Sequence, residues 1–199
     1  MIGRLHSQQV LSRRVRVLAA HLAGLLPAEA EVLDVGCGDG QIARLVMDQK
    51  PGLRLGGVDV VPRQTTALPI AMFDGRTLPF PDASKDAVMF VDVLHHTGDP
   101  MVLLREAVRV SRRWVLIKDH HRDGLLAGPT LRFMDWVGNA RFGVPLPYNY
   151  WPHRRWNEAF SSLGLTRDKT ITSLGLYPEW ADWAFGRGLH FITLLRKNS

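Results

Sequence analysis

A ten-residue stretch reading EVLDVGCGDG, residues 31–40, constrains the fold more than any other part of the sequence. Val32, Leu33 and Val35 in its first half are strand-forming residues and favour a short buried strand. Three glycines at alternate positions then end the strand in a loop that another backbone or a ligand can approach closely. Residues 41–47, QIARLVM, continue with apolar side chains at helical spacing. A strand, a glycine loop and a helix in this order predict a ligand site against exposed backbone amides.

The spacing of the glycines and the acids beside them indicate what kind of ligand fits. A dinucleotide fingerprint runs GxGxxG, whereas here the glycines fall at 36, 38 and 40 and Gln41 follows. Asp34 and Asp39 would place two carboxylates near a pyrophosphate, which is unfavourable. A ligand that carries a sulfonium and an ammonium group would be attracted instead. A tight strand-to-helix turn that binds no ligand is the alternative.

The rest of the chain alternates strand-like and helix-like segments, which predicts an open α/β sheet that is mostly parallel. Ligands of such sheets lie at the carboxyl ends of the strands. Residues 120–155 interrupt the alternation with prolines and aromatics, and we expect a helical and loop lid there. Residues 166–174 and 188–195 predict an antiparallel pair at one edge of the sheet. The other predicted strands are residues 53–61, 68–75, 86–94 and 114–119, and the predicted helices include 7–26, 129–142 and 154–163.

Acidic residues end two of these predicted strands. Asp59 closes the second strand, where a carboxylate can accept hydrogen bonds from both hydroxyls of a ribose. Pro62 follows shortly after, so capping of a helix by Asp59 is an alternative. Asp74 precedes Gly75 at the end of the third strand and is a candidate acceptor for an adenine amine, although Asp-Gly also marks turns.

The ordered set VLDVGCGDG, GVDV, FDG and DAVMFVDVLHH, within residues 31–119, resembles class I S-adenosylmethionine-dependent methyltransferases, in the small-molecule branch called type 11. The resemblance implies a Rossmann-like fold, S-adenosylmethionine as the cofactor and methyl transfer to an O, N or C centre of a small, partly apolar molecule. It also implies roles by position. The residues that resemble the family's cofactor ligands are Gly36 and Gly38 (methionyl part), Asp34 (amino group), Asp59 (ribose), Asp74 with Gly75 (adenine) and Val91 (methionyl end).

Methyl transfer from a sulfonium requires positioning of the acceptor, and a base only if the acceptor must lose a proton. His120, His121 and Tyr148 are candidate bases because they lie on or near the expected lid, and a structural role for each is the alternative. The His95-His96 pair is expected to pack beside the cofactor. We expect no metal site, because adjacent residues diverge in direction and the sequence has no Cys-x-x-Cys or His-Glu-x-x-His spacing.

Composition leaves other partners open. The 199 residues fit a single domain over 1–199, no apolar run predicts a membrane span, and one cysteine, Cys37, suggests a reducing, cytoplasmic location. The net charge of +6 and 20 arginines keep an RNA-directed methyltransferase as an alternative, with nucleic acid the less favoured partner. The Asn/Asp-Pro-Pro-Tyr signature of methyltransferases that modify adenine or glutamine is missing. A nicotinamide-binding or non-catalytic protein of the same fold is a further alternative.

Overall fold

The computed structural model describes residues 2–139, 147–178, 181, 185–186 and 188–198. Seven strands form one sheet in the order β3-β2-β1-β4-β5-β7-β6. All neighbours among β1 to β5 pair in parallel, and β7 runs antiparallel to both β5 and β6. The strands are β1 (Glu31–Val35), β2 (Arg54–Asp59), β3 (Ile70–Met72), β4 (Lys85–Val91), β5 (Ser111–His120), β6 (Leu165–Ile171) and β7 (His190–Lys197).

The helices are α1 (Ile2–Leu25), α2 (Gln41–Gln49), α3 (Pro100–Val110), α4 (Ala127–Asn139) and α5 (His153–Ser162), with a short 3₁₀ helix at Leu94–His96. Asp99 caps α3, because its side chain accepts a hydrogen bond from the Met101 N–H at 3.0 Å and Pro100 opens the helix. The predicted mostly parallel α/β sheet with an antiparallel pair at one edge is confirmed.

The core has two layers because successive strand residues point to opposite faces of the sheet. On β4, Ala87 and Met89 pack on the side of α1 and α2, whereas Val88 and Phe90 pack on the side of α3 and α5. All four side chains are fully buried. A central strand that is apolar on both faces is typical of a parallel sheet. The carboxyl ends of β1, β2, β4 and β5 therefore meet at one edge between the two helical layers.

Some predicted boundaries differ from the structure. Residues 60–69, all of them described, contain no helix, so the alternative role of Asp59 as a helix cap is wrong. Helix α4 begins at Ala127, two residues before the helix predicted over 129–142. Residues 140–146 of the expected lid lie outside the described residues. Trp180 and Trp183 lie outside them as well. Among the described helices, none is both long enough and apolar enough to cross a membrane.

Candidate functional site

A cavity of about 570 Å³ lies at the carboxyl ends of β1, β2 and β4, a size that suits a cofactor-sized ligand. Its walls come from the glycine loop, the segments after β2, β3 and β4, the end of β5, α1 and α4. Its lining includes Arg14, Leu18, Gly36, Gly38, Asp59, Phe73, Gly75, Val91, Asp92, His95, His96, Leu103, His120, Leu131, Met134 and Asp135. A smaller cavity of about 270 Å³, lined by residues 172–177, 186, 188 and 190, contains none of the predicted site residues.

Asp59 joins β2 to the glycine loop at the cavity wall. Its Oδ2 accepts a hydrogen bond from the Gly38 N–H at 2.7 Å, and its Oδ1 accepts one from the Val61 N–H at 2.8 Å. Gly38 has φ +62, and a Cβ built there would meet no atom within 4 Å, so its backbone faces open space in the cavity. These contacts fix the Asp59 carboxylate beside exposed backbone at the cavity wall, and ribose binding by Asp59 stays a prediction.

Asp34 lies behind this loop and is 2% exposed. Its Oδ1 has no hydrogen-bond partner among the described residues, an unusual state for a buried carboxylate. Burial, together with the charge of Asp59, raises the pKa of Asp34 to about 8. A buried carboxyl group with one unpartnered oxygen, next to the Asp59 carboxylate, favours a ligand that brings hydrogen-bond donors or positive charge. The residues present therefore fit the cofactor that the sequence predicts.

Asp74 lies at the cavity rim but does not line it. Its Oδ1 accepts hydrogen bonds from the backbone N–H groups of Arg76 and Thr77, at 2.8 and 2.7 Å, and these bonds lower its pKa. The wall at this point is formed by Phe73 and Gly75. Asp59 is thus the only one of the three predicted acids that lines the cavity, and an adenine contact by Asp74 stays a prediction.

A partly buried ionic cluster lies at the cavity wall after β4. Asp92, immediately after β4, is bound by the Lys118 ammonium group and, at 3.1 Å, by the guanidinium group of Arg14 from α1. Lys118 is fully buried. Burial alone would raise the pKa of Asp92, but the charges of Lys118, Arg14 and His95 hold it well below its usual range. Through Asp92, the cluster links Arg14 of α1 and Lys118 of β5 to the end of β4 at the cavity wall.

Beside this cluster, two carboxylates enclose the ring of His95. The His95 Nδ1–H donates to Asp119 Oδ1 at 2.7 Å, and His95 Nε2 lies 3.9 Å from Asp135 Oδ1 on α4. Burial alone would lower the pKa of His95, but these two carboxylates raise it to about 10. His96 Nε2 lies 3.5 Å from the same Asp135 oxygen, and Tyr150 donates its O–H to Asp135 Oδ2 at 2.9 Å.

The three predicted candidate bases do not lie together. His120 lines the cavity, and burial and the charge of Lys118 hold its pKa well below the usual value. His121 points away, because successive residues of an extended chain face opposite sides; its ring stacks between His153 and Phe191 at centroid distances of 3.3 and 4.2 Å. Tyr148 packs beside Tyr150 and is not among the cavity-lining residues.

Sequence reasoning places Asp92 among the strand-end residues that should line one crevice, and Asp92 does line the cavity. It missed Arg14, Lys118 and Asp135. Lys118 could have been found from its place near the end of a predicted strand, where ligands bind. No local pattern marks Asp135, which reaches His95 from 40 residues away, or Arg14, which is 78 residues from Asp92. Their roles depend on how α1 and α4 dock on the sheet.

Comparison with known proteins shows that this chain is similar to methyltransferases. Residues 33–114 match the family model of a methyltransferase domain. The chain is 32% identical over 110 residues to 27-O-demethylrifamycin SV methyltransferase of Amycolatopsis mediterranei. This match covers 48% of this chain and 40% of that protein. It is 31% identical over 136 residues to 2-methyl-6-phytyl-1,4-hydroquinone methyltransferase of Synechocystis sp., covering 63% of this chain and 37% of that protein. The chain thus matches about two fifths of these relatives' length.

Solved structures share the fold at low sequence identity. A methyltransferase of Haloferax volcanii, in complex with the Trm112 activator, superposes with a TM-score of 0.67 at 19% identity, over 92% of this chain and 90% of that chain. A methyltransferase of Thermotoga maritima, described as a possible histamine N-methyltransferase, gives 0.68 at 16% identity, over 98% and 96%. The domain match over residues 33–114, the curated relatives and the shared fold together make this chain similar to class I S-adenosylmethionine-dependent methyltransferases, the family that its sequence resembles.

Proposed function

We propose that this protein transfers a methyl group from S-adenosylmethionine to an O, N or C centre of a small, partly apolar molecule. The observation that carries the proposal is the Asp59 carboxylate, held by the Gly38 and Val61 N–H groups at the wall of the large cavity. A carboxylate beside an open glycine loop suits the ribose and methionyl parts of that cofactor. When bound, S-adenosylmethionine supplies an electrophilic methyl group on a sulfonium centre.

The chain itself would bind and orient the two reactants. Gly36 and Gly38 present backbone to the methionyl part, Asp59 accepts the ribose hydroxyls, and Gly75 and Val91 complete the wall. Asp34 lies behind the loop with its Oδ1 without a hydrogen-bond partner among the described residues, so this oxygen can accept a donor from the ligand. These assignments carry over from the sequence resemblance, and their positions around or beside one cavity support them.

The acceptor side of the cavity is partly apolar. Leu18, Leu103, Leu131 and Met134 line it together with the histidine cluster. Apolar walls with a few converging polar groups are typical of sites for small organic molecules. The two curated relatives are named for a rifamycin and for a phytyl hydroquinone, both organic molecules rather than nucleic acids. We therefore favour a small molecule over RNA as the acceptor.

Two imidazoles are placed to take a proton from the acceptor. His96 and His120 both line the cavity, and burial lowers the pKa of each, so both rings are neutral near pH 7. The imidazolium of His95 is held by Asp119 and Asp135 and already carries its proton. His120 therefore remains our candidate base from the sequence, and His96 joins it.

Titration with S-adenosylmethionine and S-adenosylhomocysteine by calorimetry tests the cofactor half of the proposal. We expect one site per chain, and at least about tenfold weaker binding in Asp59→Asn, because a charge-assisted hydrogen bond contributes about 1.5–3 kcal/mol. Asp82→Asn is the matched control, since Asp82 is exposed on the loop before β4 and lies outside the cavity.

Absence of binding by the native protein would refute methyl transfer. Binding that is unchanged in a folded Asp59→Asn variant would refute the assigned position of the ribose. RNA binding that weakens steeply with added salt would restore the RNA-directed alternative. A single domain over 1–199 and a cytoplasmic location stay predictions from the sequence.

A further inference from the structure

Three potential metal ligands meet at the wall of the large cavity. His95, His96 and Asp135 each offer one donor atom, and the three atoms lie within 4.8 Å of one another. Asp135 Oδ1 is 3.5 Å from His96 Nε2 and 3.9 Å from His95 Nε2. Ligand bonds of about 2.0–2.1 Å in a tetrahedral zinc site separate the donor atoms by about 3.4 Å. Small side-chain adjustments would therefore bring all three into coordination distance.

The 3₁₀ helix explains why two adjacent histidines can act together. We expected neighbouring residues to diverge, but the rings of His95 and His96 lie 4.2 Å apart between centroids, tilted by 42°. Both Nε2 atoms lie within 4 Å of the same carboxylate oxygen. The structure thus removes the geometric reason for expecting no metal.

The surrounding hydrogen bonds orient two of the three ligands. The His95 Nδ1–H donates to Asp119, which leaves the other ring nitrogen on the side of Asp135. Tyr150 O–H donates to Asp135 Oδ2, so the Oδ1 atom is the one near both histidines. Histidine ligands of metals usually donate their second ring N–H to a carboxylate in this way. His95 with Asp119 reproduces that arrangement.

From this geometry we propose that His95, His96 and Asp135 bind one divalent transition-metal ion of the Zn²⁺ type. Two imidazoles and a carboxylate suit such an ion, and three protein ligands leave positions for water or substrate. All three residues line the large cavity, so those positions would face it. Resting on the proposed function, the ion's role would be to coordinate an oxygen of the methyl acceptor, and His120 rather than His96 would then be the base. Ion binding itself does not depend on that function.

Two other clusters among the described residues are poorer candidates. The Asp92, His95 and His120 set shares its carboxylate with Lys118 and Arg14, whose positive charges oppose a cation. The His121, Asp123 and His153 set lies apart from the cavity, and Asp123 and His153 are exposed. This last set provides a control.

Without a metal, the imidazolium of His95 would carry one N–H facing Asp119 and one facing Asp135, and would neutralise the same carboxylates. The metal-bound and the metal-free alternatives are distinguished by titrating the chelator-treated full chain. Zn²⁺ alone is titrated by calorimetry, and Co²⁺ binding is followed by visible absorption. We expect one Zn²⁺ per chain and Co²⁺ bands of a low-coordinate nitrogen and oxygen site. Asp135→Asn and His96→Gln should each weaken binding at least about tenfold, whereas His153→Asn should not change it.

Absence of stoichiometric binding by the native chain would overturn the proposal. Binding that is lost in His153→Asn but kept in Asp135→Asn would overturn it as well, because the ion would then occupy the exposed cluster. If Asp135→Asn does not fold, His96→Gln and the Co²⁺ spectrum of the native chain decide. S-adenosylmethionine titration of the metal-free protein is read separately, so failure of the metal site and failure of the proposed function are distinguishable.

Discussion

Replacement of Asp34 by Asn should stabilise the protein more as the pH rises. Asp34 is buried with one oxygen unpartnered among the described residues, and burial and Asp59 raise its pKa to about 8 from 3.8. Because the folded pKa lies above the unfolded one, folding favours the protonated acid. Its contribution to stability is fully present below about pH 4 and is lost as the pH rises towards 8.

The size of the effect follows from the shift. One pKa unit corresponds to about 1.4 kcal/mol. Between pH 4.5 and 7.5 the unfolded carboxyl is mostly ionised, whereas the folded Asp34 stays mostly protonated. Over these three pH units the native protein loses about 4 kcal/mol that an amide at this position does not lose. The difference in the free energy of unfolding, Asp34→Asn minus native, should grow by about that amount.

Urea unfolding of both proteins at half-unit steps from pH 4.5 to 7.5 measures this difference. Both proteins share the other titrating groups, so the contributions of those groups to the pH dependence of the free energy of unfolding cancel in the difference. Asp48→Asn on α2 is the matched control, since its side chain is 49% exposed and forms only a surface ion pair with Arg44. A difference that stays flat with pH, or that falls as the pH rises, would refute the reasoning and place Asp34 in a well-solvated or well-partnered site.

Four further substitutions test the ionic cluster and the glycine loop, all by urea unfolding. Lys118→Met should lower the free energy of unfolding by about 3 kcal/mol, because it removes one of the two cationic side chains, Lys118 and Arg14, that form ion pairs with the Asp92 carboxylate. Adding Asp92→Asn should restore part of the loss, and a double variant less stable than the single one would contradict this. Gly36→Ala should cost about 2 kcal/mol or more, because Gly36 has φ +71 and a Cβ would meet Val93 at 2.6 Å. Gly98→Ala, whose Cβ would meet nothing within 4 Å, should change stability by less than about 0.5 kcal/mol, and equal losses for the two glycines would show that the loop geometry is not the cause.

The sequence determined the features that follow from local patterns. Alternating strands and helices predicted the mostly parallel sheet, and the glycine loop after β1 predicted where the cavity lies. The capping of α3 by Asp99 also follows from neighbouring residues. Such features are predictable because side-chain periodicity and glycine conformation act over a few residues.

Tertiary structure alone decided which side chains share the cavity. Asp59 lines it, whereas Asp34 lies behind the loop. Asp74 instead accepts hydrogen bonds from the backbone N–H groups of Arg76 and Thr77. His120 faces the cavity and His121 does not, since one residue along an extended chain reverses the direction of the side chain. The docking of helices that are distant in sequence places side chains such as Asp135 beside the His95 ring. No local sequence pattern predicts that docking.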